Sequence, residues 1–481
     1  MNFGTQIKNT SYFGLALIFL LVIVTVSGCA PVKTDSDVIP AVPDDKNSKA
    51  EAIGESYLTA EQWLDTLNEA DFEGYEFTIV ATNEEAFLPE GDGLVQQAVN
   101  QRNDWVQSKY NIILKTNLVE EGQYYQTVRN SERSQTYIGD MLSAPFEVLS
   151  SLASEKMLYN IFSLPYMNTN AEYVDDKLMK STTGNNSLFI MVDSISEYNG
   201  RQWCVFYDLG LINQLGLTDP VVAVKSGEWT WDMLLIMSGQ AATLGDGYSG
   251  FLTYFDGEQL ANAVWNSAGQ KYFGDIYHNQ IELRLDFDKS QITLDTMKSV
   301  TRSEYLGKLT EDDAISTFSD GNALFFVYQL DMAAVIADNS REWGIVPLPK
   351  IDASQTEYCS YLDPATSGIA IPASTQNTER TGMILNAMFA ASYEHIDEAV
   401  KSSYINFYLR NNSSGLMLKK IFDTTYLDFA FIYGEGMDFI SVNTYDLMND
   451  VMKRDLDMIQ RFDREKEIKE AIKNEADKIF K

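Results

Sequence analysis

The hydrophobic and polar pattern from residue 75 onward predicts strands and helices in alternation. Tyr75–Ala81 alternates and is rich in β-branched residues, which indicates a strand. A loop rich in glycine, proline and acids (82–93) leads into an amphipathic helical pattern, and a second strand begins at 111–114. A strand, a helix and a second strand in this order favour an α/β fold with parallel strands.

The same pattern continues along the chain. A third strand is predicted at 136–141, followed by a helix at 146–158. The continuous apolar run 323–328 predicts a strand covered on both faces. Shorter segments predict a helix at 233–237, strands at 343–349 and 368–372, and a charged helix at 445–480. An N-cap region with Ser374, Thr375 and Asn377 predicts a further helix that continues through Leu385 to Tyr393.

The apolar run 15–29 predicts a secretory signal, because it is short and ends in Val26-Ser27-Gly28-Cys29. This tetrapeptide resembles a bacterial lipobox, in which the cysteine is acylated. We expect a lipoprotein signal peptide at 1–28, a palmitate-bearing Cys29, a flexible tether at 29–56, and a protein anchored on the extracytoplasmic face of the cell membrane. An ordinary signal peptide cut near Gly28, or an uncleaved anchor, is the alternative.

Composition narrows the class of protein. With 481 residues, 45% of them hydrophobic, the chain can bury the cores of two or three domains. The net charge of −33 disfavours binding to nucleic acid or to an anionic bilayer surface. We therefore expect no nucleic-acid partner.

Cysteine and histidine are scarce. Besides Cys29, the chain has Cys204 and Cys359, which either form one disulfide or are free and buried. His278 and His395 lie in no HExxH motif. We expect no metal site and no cofactor.

Four segments follow one another in a characteristic order. They are 205–232 (with Val205-Phe-Tyr-Asp-Leu and Gly227-Glu-Trp-Thr-Trp-Asp232), 318–325, 343–350 and 368–372. In this order they resemble the extracellular solute-binding lipoproteins of carbohydrate ABC importers (family 1, maltose-binding-like). The resemblance spans about residues 75–433. Within it, we interpret Trp229 and Trp231 as packing residues.

The resemblance implies an α/β fold with two lobes, of the type II periplasmic-binding-protein kind, and a ligand cleft between the lobes. Lobe one would contain 57–200 and 343–398, and lobe two would contain 201–342 and 399–481. The implied function is that of a monomeric protein, not an enzyme, that captures a sugar or oligosaccharide and delivers it to the permease subunits of an ABC importer. Closure around the solute would exclude water from the polar groups that hold it.

Sugar sites combine flat aromatic rings with carboxylate and amide side chains, and open α/β sheets place ligands at the carboxyl ends of strands. From these rules and the resemblance, the candidate ligand-binding residues are Thr82, Asn83, Glu84, Asp140, Tyr254, Asp256, Trp265, Asn266, Tyr328, Tyr361 and Asp363. The structural alternatives are a solvated loop for 82–84, a helix cap for Asp140, core packing for Trp265 and a surface loop for Tyr361 and Asp363.

Two other functions remain open. A lipid-anchored glycoside hydrolase would need two carboxylates on either side of the cleaved bond, and among 69 acidic residues some pair can always be nominated. A solute-sensing surface protein would use the same fold for signalling.

Overall fold

The computed structural model describes residues 60–192, 195, 200–253, 257–270, 287–338, 341–363, 365–409, 413–434, 436 and 465–480. The predicted signal peptide, Cys29 and the tether lie outside these residues. Leu58–Lys481 forms one compact unit. Within the described residues, no helix is both long enough and apolar enough to cross a bilayer.

The strands are β1 (Tyr75–Ala81), β2 (Ile112–Leu118), β3 (Met141–Pro145), β4 (Thr183–Gly184), β5 (Ser187–Leu188), β6 (Trp203–Asp208), β7 (Ser249–Thr253), β8 (Leu306–Lys308), β9 (Ala323–Gln329), β10 (Trp343–Pro347), β11 (Ser360–Tyr361), β12 (Ser367–Ala370) and β13 (Thr425–Tyr426).

The helices are α1 (Ala60–Thr66), α2 (Leu94–Tyr110), α3 (Glu121–Ser134), α4 (Phe146–Ser154), α5 (Asp176–Thr182), α6 (Leu209–Leu215), α7 (Pro220–Ser226), α8 (Trp231–Ala242), α9 (Gly257–Ser267), α10 (Phe287–Thr301), α11 (Glu311–Ser319), α12 (Met332–Ile336), α13 (Thr378–Ser403), α14 (Ser414–Asp423), α15 (Phe429–Tyr433) and α16 (Glu465–Phe480).

The first sheet has the strand order β12-β3-β1-β2. β1 runs parallel to both β2 and β3, and β12 runs antiparallel to β3. The predicted βαβ unit is confirmed, because α2 lies between β1 and β2 in sequence and these strands are parallel. Phe77, Ile79 and Met141 face a core that also contains Ile384 and Leu385 of α13.

The prediction of a third strand at 136–141 is wrong, since β3 occupies Met141–Pro145. Every residue of β3 is buried, whereas Thr136 and Tyr137 are exposed. Gln135 adopts a left-handed conformation that ends α3, and an irregular segment then leads to β3. Pairing with β1 on one side and β12 on the other defines the strand, and short-range periodicity does not contain that information.

The second sheet has the order β10-β6-β9-β7-β8. The prediction that 323–328 forms a strand covered on both faces is confirmed, because all seven residues of β9 are buried. β7 runs parallel to β8 and β9, and β6 runs antiparallel to β9 and β10. Thr230 caps α8 by accepting a hydrogen bond from the Met233 amide, so the predicted helix at 233–237 lies within a longer one.

Pairing in the second sheet corrects one predicted lobe boundary. β10 was expected in lobe one, but Trp343 pairs with Asp208 and Pro347 pairs with Cys204 of β6. β10 is an edge strand, and an edge is where a sheet tolerates Pro347 without losing a ladder hydrogen bond. The chain crosses to the first sheet only after Leu362, which bridges to Gln202.

The carboxyl-terminal helix also packs differently from the expectation that 399–481 belongs to lobe two. The Phe480 ring lies 5.6 Å from that of Phe189 and 5.1 Å from that of Tyr433. Lys156 Nζ donates to the Ile479 carbonyl at 3.0 Å, and α16 contacts α4. The end of the chain therefore contacts Phe189 and Lys156, which lie in the range predicted for lobe one. Of the predicted helix 445–480, the part at Glu465–Phe480 is confirmed, and the earlier part lies outside the described residues.

Candidate ligand-binding site

The carboxyl ends of the parallel strands define one edge of each sheet. In the first sheet these ends are Ala81, Leu118 and Pro145, and we call this the first carboxyl edge. In the second sheet they are Thr253, Lys308 and Gln329, the second carboxyl edge. Open α/β sheets bind ligands outside such edges, so the position of the candidate residues relative to them is decisive.

Thr82, Asn83 and Glu84 follow β1 directly and lie together at the first carboxyl edge. Thr82 and Glu84 are half-buried, and Asn83 is exposed. The Asn83 side chain accepts a hydrogen bond from the Glu85 amide at 2.9 Å, which is a local turn. Thr116 Oγ1 donates to Glu84 Oε2 at 3.0 Å and ties this carboxylate to β2.

Asp140 lies at the opposite edge of the first sheet. It precedes β3 instead of following it, so it is found beside Tyr75, at the start of β1. Asp140 accepts hydrogen bonds from the Tyr75 hydroxyl (2.9 Å) and the Thr78 amide (2.9 Å), and the Arg380 guanidinium lies 3.7 Å away and stacks on the Tyr75 ring. Asp140 was expected at the carboxyl end of the third strand because that strand was predicted too early in the sequence. In the structure Asp140 precedes β3, so it lies at the edge where the parallel strands β1 and β3 begin. The structure does not bring Asp140 together with Thr82.

At the second carboxyl edge, Asp363 is the centre of a buried polar network. Trp203 Nε1 donates to Asp363 Oδ2 at 3.0 Å, and Gln329 Nε2 donates to the same oxygen at 2.7 Å. Asp363 Oδ1 accepts from the Ala365 amide at 2.9 Å. Arg201 Nη1 in turn donates to Gln329 Oε1 at 3.2 Å. The carboxylate thus satisfies three donors, as a buried acidic group requires.

Aromatic rings surround this network. The Trp203 ring lies 5.8 Å from that of Tyr328 and 6.1 Å from that of Tyr361. Tyr361 meets Phe431 edge-on at 5.8 Å. Three of the predicted residues, Tyr328, Tyr361 and Asp363, are therefore brought together. With Trp203 and Gln329 they form what we call the Asp363 cluster, in which each side chain is at most 7% exposed.

The Asp363 cluster is joined to the first sheet by a short segment. Ser367, the first residue of β12, pairs with Pro145 at the first carboxyl edge. Only four peptide steps separate Asp363 from Ser367, which limits their distance to about 15 Å. The incoming and outgoing crossing segments are also paired, because the Asp363 amide donates to the Arg201 carbonyl at 3.1 Å. The two carboxyl edges therefore approach each other at this crossing.

Charges at the crossing are unevenly compensated. Asp331 follows β9 and lies 3.7 Å from Arg201. Burial raises the pKa of Asp331 above its usual value, and the Arg201 charge opposes that rise.

Burial also raises the pKa of the Cys204 thiol well above its usual value, which keeps this thiol protonated and unreactive. Within the described residues, Cys204 and Cys359 form no disulfide, and Cys204 is buried while Cys359 is half-buried.

The remaining predicted residues are placed as follows. Trp265 and Asn266 lie on α9, each 1% exposed, and Asn266 Nδ2 donates to the Asn262 carbonyl one turn earlier. Tyr254 and Asp256 lie outside the described residues, directly after Thr253 in the sequence. Trp229 and Trp231 are fully buried, with their indole N–H groups bonded to the Pro347 carbonyl and to Ser267, which confirms them as packing residues.

Sequence reasoning missed Trp203, Gln329 and Arg201. Gln329 directly follows the predicted Tyr328, and Trp203 opens the strand that contains Val205-Phe-Tyr-Asp, so both were adjacent to recognised signals. Nothing local indicates that Trp203 meets Asp363, because 160 residues separate them. Among the described residues, no group of three or more acidic, histidine or cysteine side chains is arranged to hold a metal ion.

Comparisons with known proteins agree with this architecture. The family model for bacterial extracellular solute-binding proteins matches residues 94–391. No curated protein matches the chain significantly.

Several solved structures are similar in fold. The galacto-N-biose-/lacto-N-biose I-binding protein of Bifidobacterium longum, in complex with lacto-N-biose, has a TM-score of 0.55 and 13% identity, covering 82% of this chain and 98% of its own. The sugar-binding protein MalE of Xanthomonas citri has a TM-score of 0.55 and 12% identity (84% and 98% covered). The GacH receptor of Streptomyces glaucescens, described unliganded and with acarbose, has a TM-score of 0.53 and 14% identity (84% and 97% covered).

At these identities the similarity shows the fold, which is the two-lobed type II α/β fold. The family model covers more than half of the 481 residues and includes the second carboxyl edge and the Asp363 cluster. This chain belongs to the family of bacterial extracellular solute-binding proteins.

Proposed function

We propose that this protein captures a sugar or oligosaccharide between its lobes, outside the cell, and delivers it to the permease subunits of an ABC importer. One observation carries the proposal. The carboxyl edges of both sheets approach each other beside the Asp363 cluster, where aromatic rings adjoin a carboxylate and an amide. Rings suit the apolar faces of a sugar, and carboxylate and amide groups suit its hydroxyls.

The fold and its relatives support this class of ligand. Three proteins of the same fold are described as sugar-binding or as complexes with lacto-N-biose or acarbose. Within this chain, the proposed contacts are Thr82, Asn83 and Glu84 at the first carboxyl edge, and Tyr328, Tyr361 and Asp363 at the second. Tyr254 and Asp256 join them in the proposal because they follow β7, which ends at the same edge. Trp265 and Asn266 are proposed as support behind these groups, and we leave Asp140 out because of its position.

We further propose that the protein acts as a monomer, without catalysis, and is held at the membrane by lipid on Cys29. Binding without turnover suits a protein that hands its solute on unchanged. The observation behind the anchor is the signal pattern that ends at Cys29.

The test is a thermal-shift panel on the purified protein with lacto-N-biose, acarbose, maltose and maltotetraose, alongside amino acids and short peptides. A ligand that binds only the native state stabilises it by RT ln(1 + [L]/Kd), so the melting temperature rises with the logarithm of the ligand concentration once that concentration exceeds Kd. We expect at least one sugar to stabilise the protein and to be recovered intact by chromatography. Stabilisation by amino acids or peptides alone would exclude the sugar assignment, and recovered cleavage products would exclude pure binding.

A further inference from the structure

Arg102 on α2 is buried without a counter-ion. Its side chain is fully inaccessible, and no carboxylate lies within salt-bridge distance of it among the described residues. Burial lowers the pKa of Arg102 to about 9, so the guanidinium remains protonated at neutral pH. Burying a charge without a counter-ion costs free energy that hydrogen bonds only partly offset. Stability alone therefore does not account for an arginine at this position.

The hydrogen bonds of Arg102 lead to one loop. Nη2 donates to the Ala86 carbonyl at 3.0 Å, while Nε and Nη2 donate to Asn103 Oδ1 at 3.0 and 2.9 Å. The Asn103 amide then donates to the Phe87 carbonyl. Arg102 Nη1 has no hydrogen-bond partner in the described part of the chain. The guanidinium and its neighbouring amide thus hold two successive carbonyl groups of the loop.

This loop is the one that presents Thr82, Asn83 and Glu84. The amides of Phe87 and Leu88 both donate to the Glu84 carbonyl, at 2.8 and 2.7 Å, and so close a turn on Glu84. Arg102 and Asn103 fix the far side of this turn, while Thr116 fixes the Glu84 side chain. A planar guanidinium suits this role better than an ammonium group, because its donors have a fixed geometry.

We propose that Arg102 is a positioning residue for ligand binding, which holds the turn 84–88 so that Thr82, Asn83 and Glu84 keep one arrangement at the first carboxyl edge. The inference rests on the proposed function for the identity of the ligand. A loop that is ordered before binding spares the complex the entropy of ordering it later, so the affinity for sugar depends on a residue that does not touch sugar.

The experiment compares Arg102→Met, Arg102→Lys and the unmodified protein. Amide hydrogen exchange at Phe87 and Leu88, without ligand, reports the turn directly. We expect Arg102→Met to raise exchange at these two amides about tenfold and to weaken the binding of the best sugar of the panel by about tenfold. The melting temperature reports the sum of two opposed effects, the removal of a buried charge and the loss of donors to the Ala86 carbonyl and Asn103 Oδ1. Arg102→Lys keeps a positive charge but lacks the planar set of donors of the guanidinium, and we expect it to raise exchange at Phe87 and Leu88 as well.

Arg129→Met is the matched control, because Arg129 is bonded to the Glu155 carboxylate on the same lobe and not to the loop. It should leave exchange at Phe87 and Leu88 unchanged. A lower melting temperature for Arg102→Met with unaltered exchange at the two amides would show a purely structural role and overturn the proposal. If no sugar binds the parent protein, the proposed function fails, while the exchange measurement still decides whether Arg102 positions the turn.

Discussion

The substitution Asp363→Asn tests the centre of the Asp363 cluster. Aspartate Oδ2 accepts from the Trp203 indole and the Gln329 amide, and Oδ1 accepts from the Ala365 backbone. Asparagine has one oxygen and one NH₂ group in nearly the same volume. Whichever way the amide is turned, at least one of the three donors faces another donor. Packing is preserved, so the change isolates the hydrogen bonds.

The magnitude follows from burial. The indole of Trp203 is inaccessible and Gln329 is 5% exposed, so water does not replace a lost acceptor there. A buried donor left without a partner costs about 1–3 kcal/mol. The free energy of unfolding of Asp363→Asn should therefore fall by about 1–3 kcal/mol. Because Tyr328 and Tyr361 pack on the same Trp203 ring, the binding of sugar should weaken as well.

Urea unfolding, followed by tryptophan fluorescence at pH 7, measures this difference. The matched control is Asp423→Asn, which removes an exposed ion pair with Lys419 and should cost no more than about 0.5 kcal/mol. Equal stability of the two variants would refute the argument that Asp363 is held by buried donors. A destabilised Asp363→Asn with unchanged sugar affinity would retain the cluster as a structural feature and remove it from the proposed site.

Three further predictions concern other parts of the chain. Cys29→Ser should move the protein from the membrane fraction to the medium, and continued membrane association would contradict the lipid anchor. Asp331→Asn should raise the melting temperature at neutral pH, because a raised carboxyl pKa means that the folded state loses stability as pH rises above 3.8. The difference in melting temperature between the variant and the parent should therefore shrink on acidification. A pH-independent difference would contradict the argument that burial of the Asp331 carboxylate is destabilising. Phe480→Ala should lower the free energy of unfolding by about 3–5 kcal/mol, because the ring packs on Tyr433 and Phe189. As a control, Leu416→Ala should change this free energy little, because Leu416 is exposed. Equal effects of the two substitutions would contradict the docking of the chain end.

The local pattern of apolar and polar residues was sufficient to predict those elements whose burial follows directly from their own residues. Tyr75–Ala81 has the alternation of a strand, and Ala323–Gln329 is apolar throughout because both its faces are covered. The start of α13 was predicted to within a few residues, from Ser374, Thr375 and Asn377, and in the structure the Asn377 side chain accepts from the Arg380 amide at 3.0 Å. In each case the physical cause lies within a few residues, so the sequence expresses it directly.

Part of the candidate site was also predictable. Thr82, Asn83 and Glu84 follow a clear strand, and the ends of parallel strands are where such sheets bind ligands. Tyr328, Tyr361 and Asp363 were found through a family resemblance and are brought together by the fold. Asp140 was predicted at the wrong edge because the third strand was predicted to start at residue 136, five residues before β3 begins. In a strand of five residues, an error of that size moves a residue from the carboxyl end to the amino end.

The sequence by itself therefore determined the α/β class, most of the central strands and the order of motifs that resembles the solute-binding family. Only the tertiary structure decided that β10 completes the second sheet, that Phe480 contacts Phe189, and that Trp203 and Asp363 meet across 160 residues. It also decided that Arg102 is buried and donates to the Ala86 carbonyl of a loop. The reason is the same in each case: strand pairing and buried hydrogen bonds join groups far apart in the chain, and their energies depend on partners that no local pattern names.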